Sequence, residues 1–475
     1  MTGSLGRQVN IDAVIAGNAR LSNGDALRLL KEASLHDLGR WSSAMAERIH
    51  GAETRTYIID RNINYTNVCT AHCTFCAFRR DAGDADSYIL SDAQLHDKIR
   101  ELVDIGGTQI LLQGGMHPDL PLSWYLDMLQ GISAAFPSVH IHGFSPPEFV
   151  EFAAVLPIDG FPTPGIGRGD DLPRDLWIAK IRHIMAAMKE AGLDSLPGGG
   201  EIFAPHVRAR IGIGKATGQQ WLDTMTVAHE LGMLTSATMM FGHLEGLADR
   251  VAHIDAVRRR QDAALQLDSG GRYVSFISWP YQRDNTPLDT LPDYGFGDEP
   301  FPGDVLAEMV MRDEVDGTDR KACSRAVPRA GKMLRMAGGT EYLRTQAVSR
   351  LMLDNVASIG SSWVTMGPRI GQVGLFFGAN DMGSVMMEEN VVSAAGTTYC
   401  LNEPYLCHLI RDAGFTPAQR DNAYNLLRTY PDGDPYAPDL NVDDWSTQRA
   451  QVLSREGVAG EADAREKPVD LTVSA

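Results

Sequence analysis

Cys69, Cys73 and Cys76 fall within Cys69-Thr70-Ala71-His72-Cys73-Thr74-Phe75-Cys76, in a chain with only 6 cysteines among 475 residues. At that scarcity, a C-x-x-x-C-x-x-C array has chance odds of roughly one in a thousand. Thiolates are the usual ligands of iron–sulfur clusters, which commonly take four of them. Three leave one iron of a cubane without a protein ligand, and an open position on a bound metal is where chemistry occurs, as at catalytic zinc. The array therefore points to a catalytic cluster. Two other readings use the same residues. A structural zinc site would recruit a fourth ligand from His72, Cys323, Cys400 or Cys407, yet zinc ribbons usually carry two C-x-x-C pairs and no second pair exists here. Inert thiols are the third reading; disulfides conflict with a large chain that opens without a signal-peptide pattern over Met1 to Asn10.

The elements around the array must hold it. Tyr57-Ile58-Ile59 reads as a short strand running directly into the cysteine loop. Ala26 to Ile49 reads as helical before it, and Ser91 reads as the N-cap of a helix carrying Leu95, Ile99, Leu102 and Val103 at helical spacing. Strand-like runs then alternate with helical patterns: Gln109 to Leu112, Val139 to His142, Asp194 to Leu196, Thr235 to Phe241, Tyr273 to Ile277, Trp363 to Thr365 and Gly374 to Phe377. About eight strands alternating with helices predict a parallel (βα)8-type barrel, with a doubly wound open sheet as the alternative. The expected organisation is an N-terminal helical segment (1–54), the barrel (55–385) with insertions near 156–175 and 291–339, a C-terminal helical extension (386–429) and an acidic tail (430–475).

Barrels of this type work at the C-terminal ends of their strands. Here those ends carry Gln113-Gly114-Gly115-Met116-His117, Gly143-Phe144-Ser145-Pro146-Pro147-Glu148, Pro197-Gly198-Gly199-Gly200-Glu201, Gly242-His243-Leu244-Glu245, Trp279 to Thr286, and Gly378-Ala379-Asn380-Asp381. Each has a bland reading. Paired glycines make tight turns, His117, His142 and His243 suit hydrogen-bonded structural histidines, and Glu148, Glu201 and Glu245 suit helix starts. These six segments and the cysteine loop, together at one expected barrel mouth, outweigh the bland reading of any one.

A charge of −18 argues against nucleic-acid or anionic-membrane partners, and the hydrophobic fraction of 44% is ordinary for a globular enzyme. No apolar run approaches the ~20 residues that span a bilayer. The cytoplasm is the expected address.

The loop Ile63-Asn64-Tyr65-Thr66-Asn67-Val68-Cys69, with Cys73, Phe75 and Cys76, resembles radical S-adenosylmethionine enzymes. It is similar in particular to the branch holding the menaquinone futalosine-pathway enzymes and the deazaflavin FO synthases. Gln109 to Leu120, His142 to Glu148, Ala191 to Gly200, Thr238 to His243, Trp279 to Leu288, Gly378 to Asn390 and Ala413 to Asp421 extend the likeness, and Trp279 to Leu288 favours the cyclases that act on dehypoxanthine futalosine. The resemblance implies a 4Fe–4S cluster on Cys69, Cys73 and Cys76, with S-adenosylmethionine on the open iron. It implies Phe75 near the adenine, Gln113, Gly114, Gly115 and Met116 near the methionyl group, and Ser145 and Glu148 in the same cofactor set. A low-potential donor such as flavodoxin or ferredoxin would reduce the cluster. Glu201, Asn285, Asn380 and Glu388, with Thr286, are candidates for the terminal base or for ribose contacts, and Arg208, Arg210 and Arg283 for a substrate carboxylate. One departure stands out: relatives usually read Pro-Gly-Gly-Gly-Ala-Glu, whereas here Glu201 follows Gly200 directly. Cys73→Ala is expected to abolish both cluster binding and cofactor cleavage, measured as iron content and 5′-deoxyadenosine release after anaerobic reconstitution; retained cleavage would mean that the ligands are misassigned.

Overall fold

A computed structural model describes residues 4–168, 171–295, 297, 299–397 and 399–430; apart from Tyr430, the expected acidic tail lies outside the described residues. The first barrel strand is longer than its apolar core suggests. β1 (Thr54–Ile58) and β2 (Asp60–Asn64) are separated by Ile59 alone and form one bent strand. The other strands of the main sheet are β4 (Gln109–Gln113), β5 (His140–Gly143), β6 (Ser195–Leu196), β8 (Leu234–Phe241), β9 (Arg272–Pro280), β10 (Ser358–Gly360) and β11 (Asp381–Ser384). β2 pairs in parallel with β4, and the parallel order then runs β5, β6, β8, β9, β10 and β11 before returning to β1. Counting the bent pair once, eight parallel positions close on the strand where they began, as the alternation predicts. A parallel strand is buried on both faces, which is why all but Leu234 and Thr238 of Leu234–Phe241 and every residue of β2 are buried. Two short strands stand outside this sheet: β3 (His72–Cys73), in the cysteine loop, pairs antiparallel with β7 (Gly212–Ile213).

Helices follow their local signals. Ser91 caps Asp92–Asp104 in a full capping box with Gln94. The expected helix over 26–49 is two helices, Asn23–Glu32 and Leu35–His50, because Ser34 caps a new start. The insertion near 291–339 contains the helices Pro302–Met311 and Arg320–Ala326, which bury Leu306, Cys323, Val327 and Ala330 in a small core of their own.

Two strand assignments are corrected. Trp363 to Thr365 lies in a helix, Trp363–Met366, and Gly374 to Phe377 ends the helix Pro368–Gly374 and the turn after it. Short apolar runs do not distinguish a strand from a buried helical turn, and the decisive signal was Gly367-Pro368, with proline at the first helical position. The true strands are β10 and β11, so Asn380 precedes a strand instead of following one. It sits at the barrel floor, not the mouth. Its Oδ1 accepts from Arg350 Nη2 and from the Ile359 N–H, both at 2.8 Å, and its Nδ2 donates to Ser358 Oγ at 3.3 Å.

The C-terminal extension is also not all helical. After the helix Glu403–Asp412 come β12 (Thr416–Arg420), parallel to β1, and β13 (Leu426–Thr429), antiparallel to β12. Their connecting turn closes the floor. Arg420 donates to both oxygens of Asp381 at 2.6 and 2.9 Å, Asn422 Nδ2 donates to Ser195 Oγ at 3.4 Å, and Tyr424 bonds to Ser275 and Ser358. Both partners of the Arg420–Asp381 pair are buried, so removing one strands a charge. Arg420→Ala is expected to cost about 3–5 kcal/mol in denaturant unfolding; a loss below about 1 kcal/mol would show that the floor does not rest on this pair.

Candidate active site

The cysteine loop leaves β2 at the barrel mouth and is pinned along its length. Cys69 N–H donates to Arg80 O at 3.1 Å, Thr70 N–H to Met116 O at 2.9 Å, and Thr74 N–H to Ile211 O at 2.9 Å. Cys73 lies in β3, paired with Gly212. The three thiols share one apolar nest: Ala71, Cys73 and Met116 are buried, with Cys69, Phe75 and Cys76 packed against them. Burial pushes the Cys69 and Cys73 thiols up, while the Met116 and Ala71 N–H groups aimed at the Cys69 sulfur and the charge of Lys215 near Cys73 pull the other way. Such N–H and cationic partners suit thiolates bound to a metal cluster.

Cys323 lies in the insertion core, Cys407 in the barrel's outer core and Cys400 against Met386 O, so none of the three joins this nest. Among the described residues, no three His, Cys, Asp or Glu side chains close on a single-ion position. A cubane asks for a different arrangement, one thiolate per iron, and three cysteines on one pinned loop fit that requirement.

Two glycines let the second loop approach the first. A Cβ on Gly115 would stand 2.1 Å from Val68 O and 3.0 Å from Cys69 Cβ, and one on Gly114 would stand 2.5 Å from the Tyr65 ring. Glu148 anchors this contact. One of its oxygens accepts from Tyr65 Oη at 2.7 Å and from the Gly114 N–H at 3.3 Å; the other accepts from the Ser145 N–H at 2.6 Å and Ser145 Oγ at 2.8 Å. Burial raises its pKa, and these four donors oppose the rise. Gly199, at φ +55, turns the next loop against Ser145, where a Cβ would come within 2.7 Å.

A charged group borders the nest. Glu201 is buried and accepts from Lys215 Nζ at 2.6 Å and Arg208 Nη1 at 3.2 Å. Burial alone would raise its pKa, but Lys215 and Arg208 together hold it below the ordinary carboxylate range. Lys215 Nζ also stands 5.2 Å from the Phe75 ring centroid. Below the nest, a cavity of about 330 Å³ occupies the barrel, with Asn62, Gln113, Ser236 and Glu389 among its polar lining and Trp279 and Met382 among its apolar lining.

Comparisons with known proteins agree with this geometry. Residues 63–257 match the family model "Radical SAM superfamily", and residues 325–432 match "CofH/MqnC C-terminal region". The chain is 35% identical to the cyclic dehypoxanthine futalosine synthase of Halalkalibacterium halodurans over 428 residues, covering 89% of this chain and 97% of that one. The chain belongs to the radical SAM superfamily. Within it, the chain is also 33% identical to the 5-amino-6-(D-ribitylamino)uracil–L-tyrosine 4-hydroxyphenyl transferase of Methanopyrus kandleri, covering 79% of this chain and 85% of that one. It is 32% identical to the aminodeoxyfutalosine synthase of Thermus thermophilus, covering 89% and 97%. The fold matches that of HydG, a maturase of the [FeFe]-hydrogenase, with a TM-score of 0.55 at 11% identity over 89% of this chain and 77% of that one.

Cys69, Cys73 and Cys76 lie on the loop after the first barrel strand, and superfamily membership implies the 4Fe–4S cluster and S-adenosylmethionine. Other sequence candidates scatter. Asn285 is exposed, at φ +60, and donates to Ala394 O at 3.0 Å; Thr286 is buried against Tyr281. Glu388 is buried between Arg61 and Lys98, each at 2.8 Å, and does not line the cavity. Its neighbour Glu389 does, accepting from Asn62 Nδ2 at 2.9 Å and from the Val391 and Val392 N–H groups. Arg210 turns toward Gly331 in the insertion, and Arg283 is held at the surface by Asp289 and Asp293. Sequence reasoning missed Lys215, Glu389 and Arg420, the cation that does line the cavity; no motif marks the first two, and Arg420 acts through a loop distant in the chain. Gly115→Ala is expected to push the cysteine loop away and reduce reconstituted iron and sulfide several-fold while leaving the circular dichroism of the fold intact. Full cluster loading in this variant would show that the close approach is dispensable.

Proposed function

We propose that this chain is a cyclase that converts dehypoxanthine futalosine to its cyclic form on the route to menaquinone. The observation that carries the reading is the 35% identity to a cyclic dehypoxanthine futalosine synthase over 97% of that protein's length. The cavity supports it: amide and hydroxyl side chains suit ribose hydroxyls, and the Trp279 and Met382 walls suit a benzoate ring.

When bound, the cluster and S-adenosylmethionine supply a 5′-deoxyadenosyl radical. Cys69, Cys73 and Cys76 hold the cluster at the mouth. Gln113, Gly114, Gly115 and Met116 would present backbone to the methionyl group, and Glu148, oriented by Ser145, holds that segment in place by accepting the Gly114 N–H. Phe75 flanks the adenine. Glu201, held ionised by Lys215 and Arg208, places a fixed charge group beside the cofactor. The closed floor and the buried walls keep the substrate's reacting carbon near the mouth and limit water, as radical chemistry requires. Of the candidates Glu201, Asn285, Asn380 and Glu388, only the two carboxylates are basic, and the amides suit ribose contacts. The buried Glu201 and Glu388 are committed to ion pairs, and Asn380 is committed to the floor. Arg420 is the cation that lines the cavity, and its guanidinium is committed to Asp381 and Asp421 O. A flavodoxin or ferredoxin would supply the electron. Among the described residues, no helix is long and apolar enough to cross a membrane.

The reduced, reconstituted protein incubated with dehypoxanthine futalosine is expected to yield a product lighter by two hydrogens, together with 5′-deoxyadenosine, by mass spectrometry. Turnover with tyrosine and the ribityl uracil, or with an enolpyruvyl benzoate, and none with dehypoxanthine futalosine would overturn the assignment.

A further inference from the structure

One side of the cavity contains a hydrogen-bonded chain that reaches the surface. His142, on β5, lines the cavity, and its Nε2 lies 3.3 Å from Ser236 Oγ, another lining atom. On its other side, His142 Nδ1 lies 2.6 Å from Ser195 Oγ, on β6. The same Oγ lies 2.6 Å from His140 Nε2. His140 Nδ1 faces Asp194 Oδ2 at 3.8 Å, and the side chains of His140 and Asp194 are 29% and 47% exposed. The chain therefore runs from the buried lumen to solvent near the barrel floor, away from the cysteine loop.

Its direction follows from its partners. Asp194 favours a proton on His140 Nδ1, which leaves His140 Nε2 as an acceptor. Ser195 then donates its hydroxyl hydrogen to His140 and accepts from His142 Nδ1–H, while Asn422 Nδ2, 3.4 Å away, fills its remaining lone pair. That arrangement leaves His142 Nε2 unprotonated toward the cavity. Charged and titratable groups around the pair are His140 and Arg420 near His142, and Asp194 and Asp421 near His140. Burial, His140 and Arg420 all hold His142 well below its ordinary pKa, so it rests neutral.

We propose that His142, Ser195 and His140 form a proton relay that carries away the proton released when the cyclised ring regains its aromatic system. The proposal rests on the cyclase reading. After the substrate radical has bonded to the benzoate ring, the ring C–H bond at the new junction breaks. Its proton passes to His142 Nε2, the His142 Nδ1 proton to Ser195 Oγ, and the Ser195 hydroxyl proton to His140 Nε2; His140 then releases its Nδ1 proton toward Asp194 and solvent. The accompanying electron leaves to a one-electron acceptor of the iron–sulfur class, and no other co-reactant is consumed. The cavity's other basic groups are the carboxylates Glu389, Asp381 and Asp60. Glu389 accepts from Asn62 and two backbone N–H groups, Asp381 from Arg420, and Asp60 from Gln109 and Ser384, and none of these contacts continues through a histidine to the surface. His142 is the terminal group facing substrate; Ser195 and His140 act through it.

Ser195→Ala breaks the chain at its single shared atom. In single turnover with dehypoxanthine futalosine, the variant is expected to form 5′-deoxyadenosine at the wild-type rate but to slow product formation by about a hundredfold. A carbon-centred radical should accumulate in freeze-quenched electron paramagnetic resonance. Wild-type product formation without that radical would overturn the relay, as would accumulation in Glu389→Gln instead of Ser195→Ala. A second readout needs no cluster and no substrate. In the metal-free wild-type protein, ring nitrogen NMR, assigned with His142→Gln, should show His142 neutral at pH 7 and protonated at Nδ1. Protonation at Nε2 would overturn the relay while leaving the cyclase reading intact. Absence of product from the wild type would overturn the cyclase reading while leaving the NMR result unchanged.

Discussion

The bend at Ile59 is the constraint on which the rest of the molecule depends. A strand has two hydrogen-bonding edges and this one has three neighbours, so its first half pairs with β11 and β12 and its second half with β4. That division closes the barrel, admits the C-terminal hairpin beside β1, and aims the end of β2 into the cysteine loop. Everything catalytic hangs from that second half: Asn62 on the cavity wall, Tyr65 against Glu148 and Gly114, and the thiols beyond. A straighter strand would pair the hairpin or β4, not both, leaving backbone donors and acceptors unmet in a buried sheet.

The mouth and the floor are built by opposite means. At the mouth, backbone approaches backbone: Gly114 and Gly115 lie against Tyr65, Val68 and Cys69 where no side chain fits. Their N–H groups are taken by Glu148 and Thr66 O, and the missing side chains leave room for a ligand. At the floor, charged side chains lock the end: Arg420 on Asp381, Arg350 on Asn380. The lock makes the barrel a blind cavity, so the reacting species meets protein on every side but one. Three buried carboxylates are held by cations. Glu201, Glu245 and Glu388 are each buried and each matched by a cation, an arrangement that keeps them ionised and rigid.

Much of this was legible along the chain. Cys69, Cys73 and Cys76 lie within a few residues of one another, so their spacing reports directly on a shared ligand, and the alternation of apolar runs and helical periods reports on a parallel barrel because each strand is buried on both faces. Ser91 announced its helix for the same reason: a cap is a local hydrogen bond. The failures were also local. Trp363 to Thr365 and Gly374 to Phe377 are apolar enough for strands, and only their packing beside Gly367-Pro368 makes them helical turns. That error moved Asn380 from floor to mouth. Glu388 and Glu389 divide in the same way: adjacent residues point in different directions, and composition does not say which faces the lumen.

By itself, then, the sequence determined the cysteine array, the barrel class and the family, because those depend on residue type and short-range spacing. Tertiary structure alone decided that the C-terminal segment is a hairpin plug and that Lys215 sits beside Phe75 and Cys73. It alone decided that Arg420 and Asp381, 39 residues apart, close the floor. It also joined His140, His142 and Ser195 at one oxygen, 2.6 Å from each ring. Hydrogen bonds and ion pairs act over a few ångströms of space, and only the completed barrel brings such distant residues within that range.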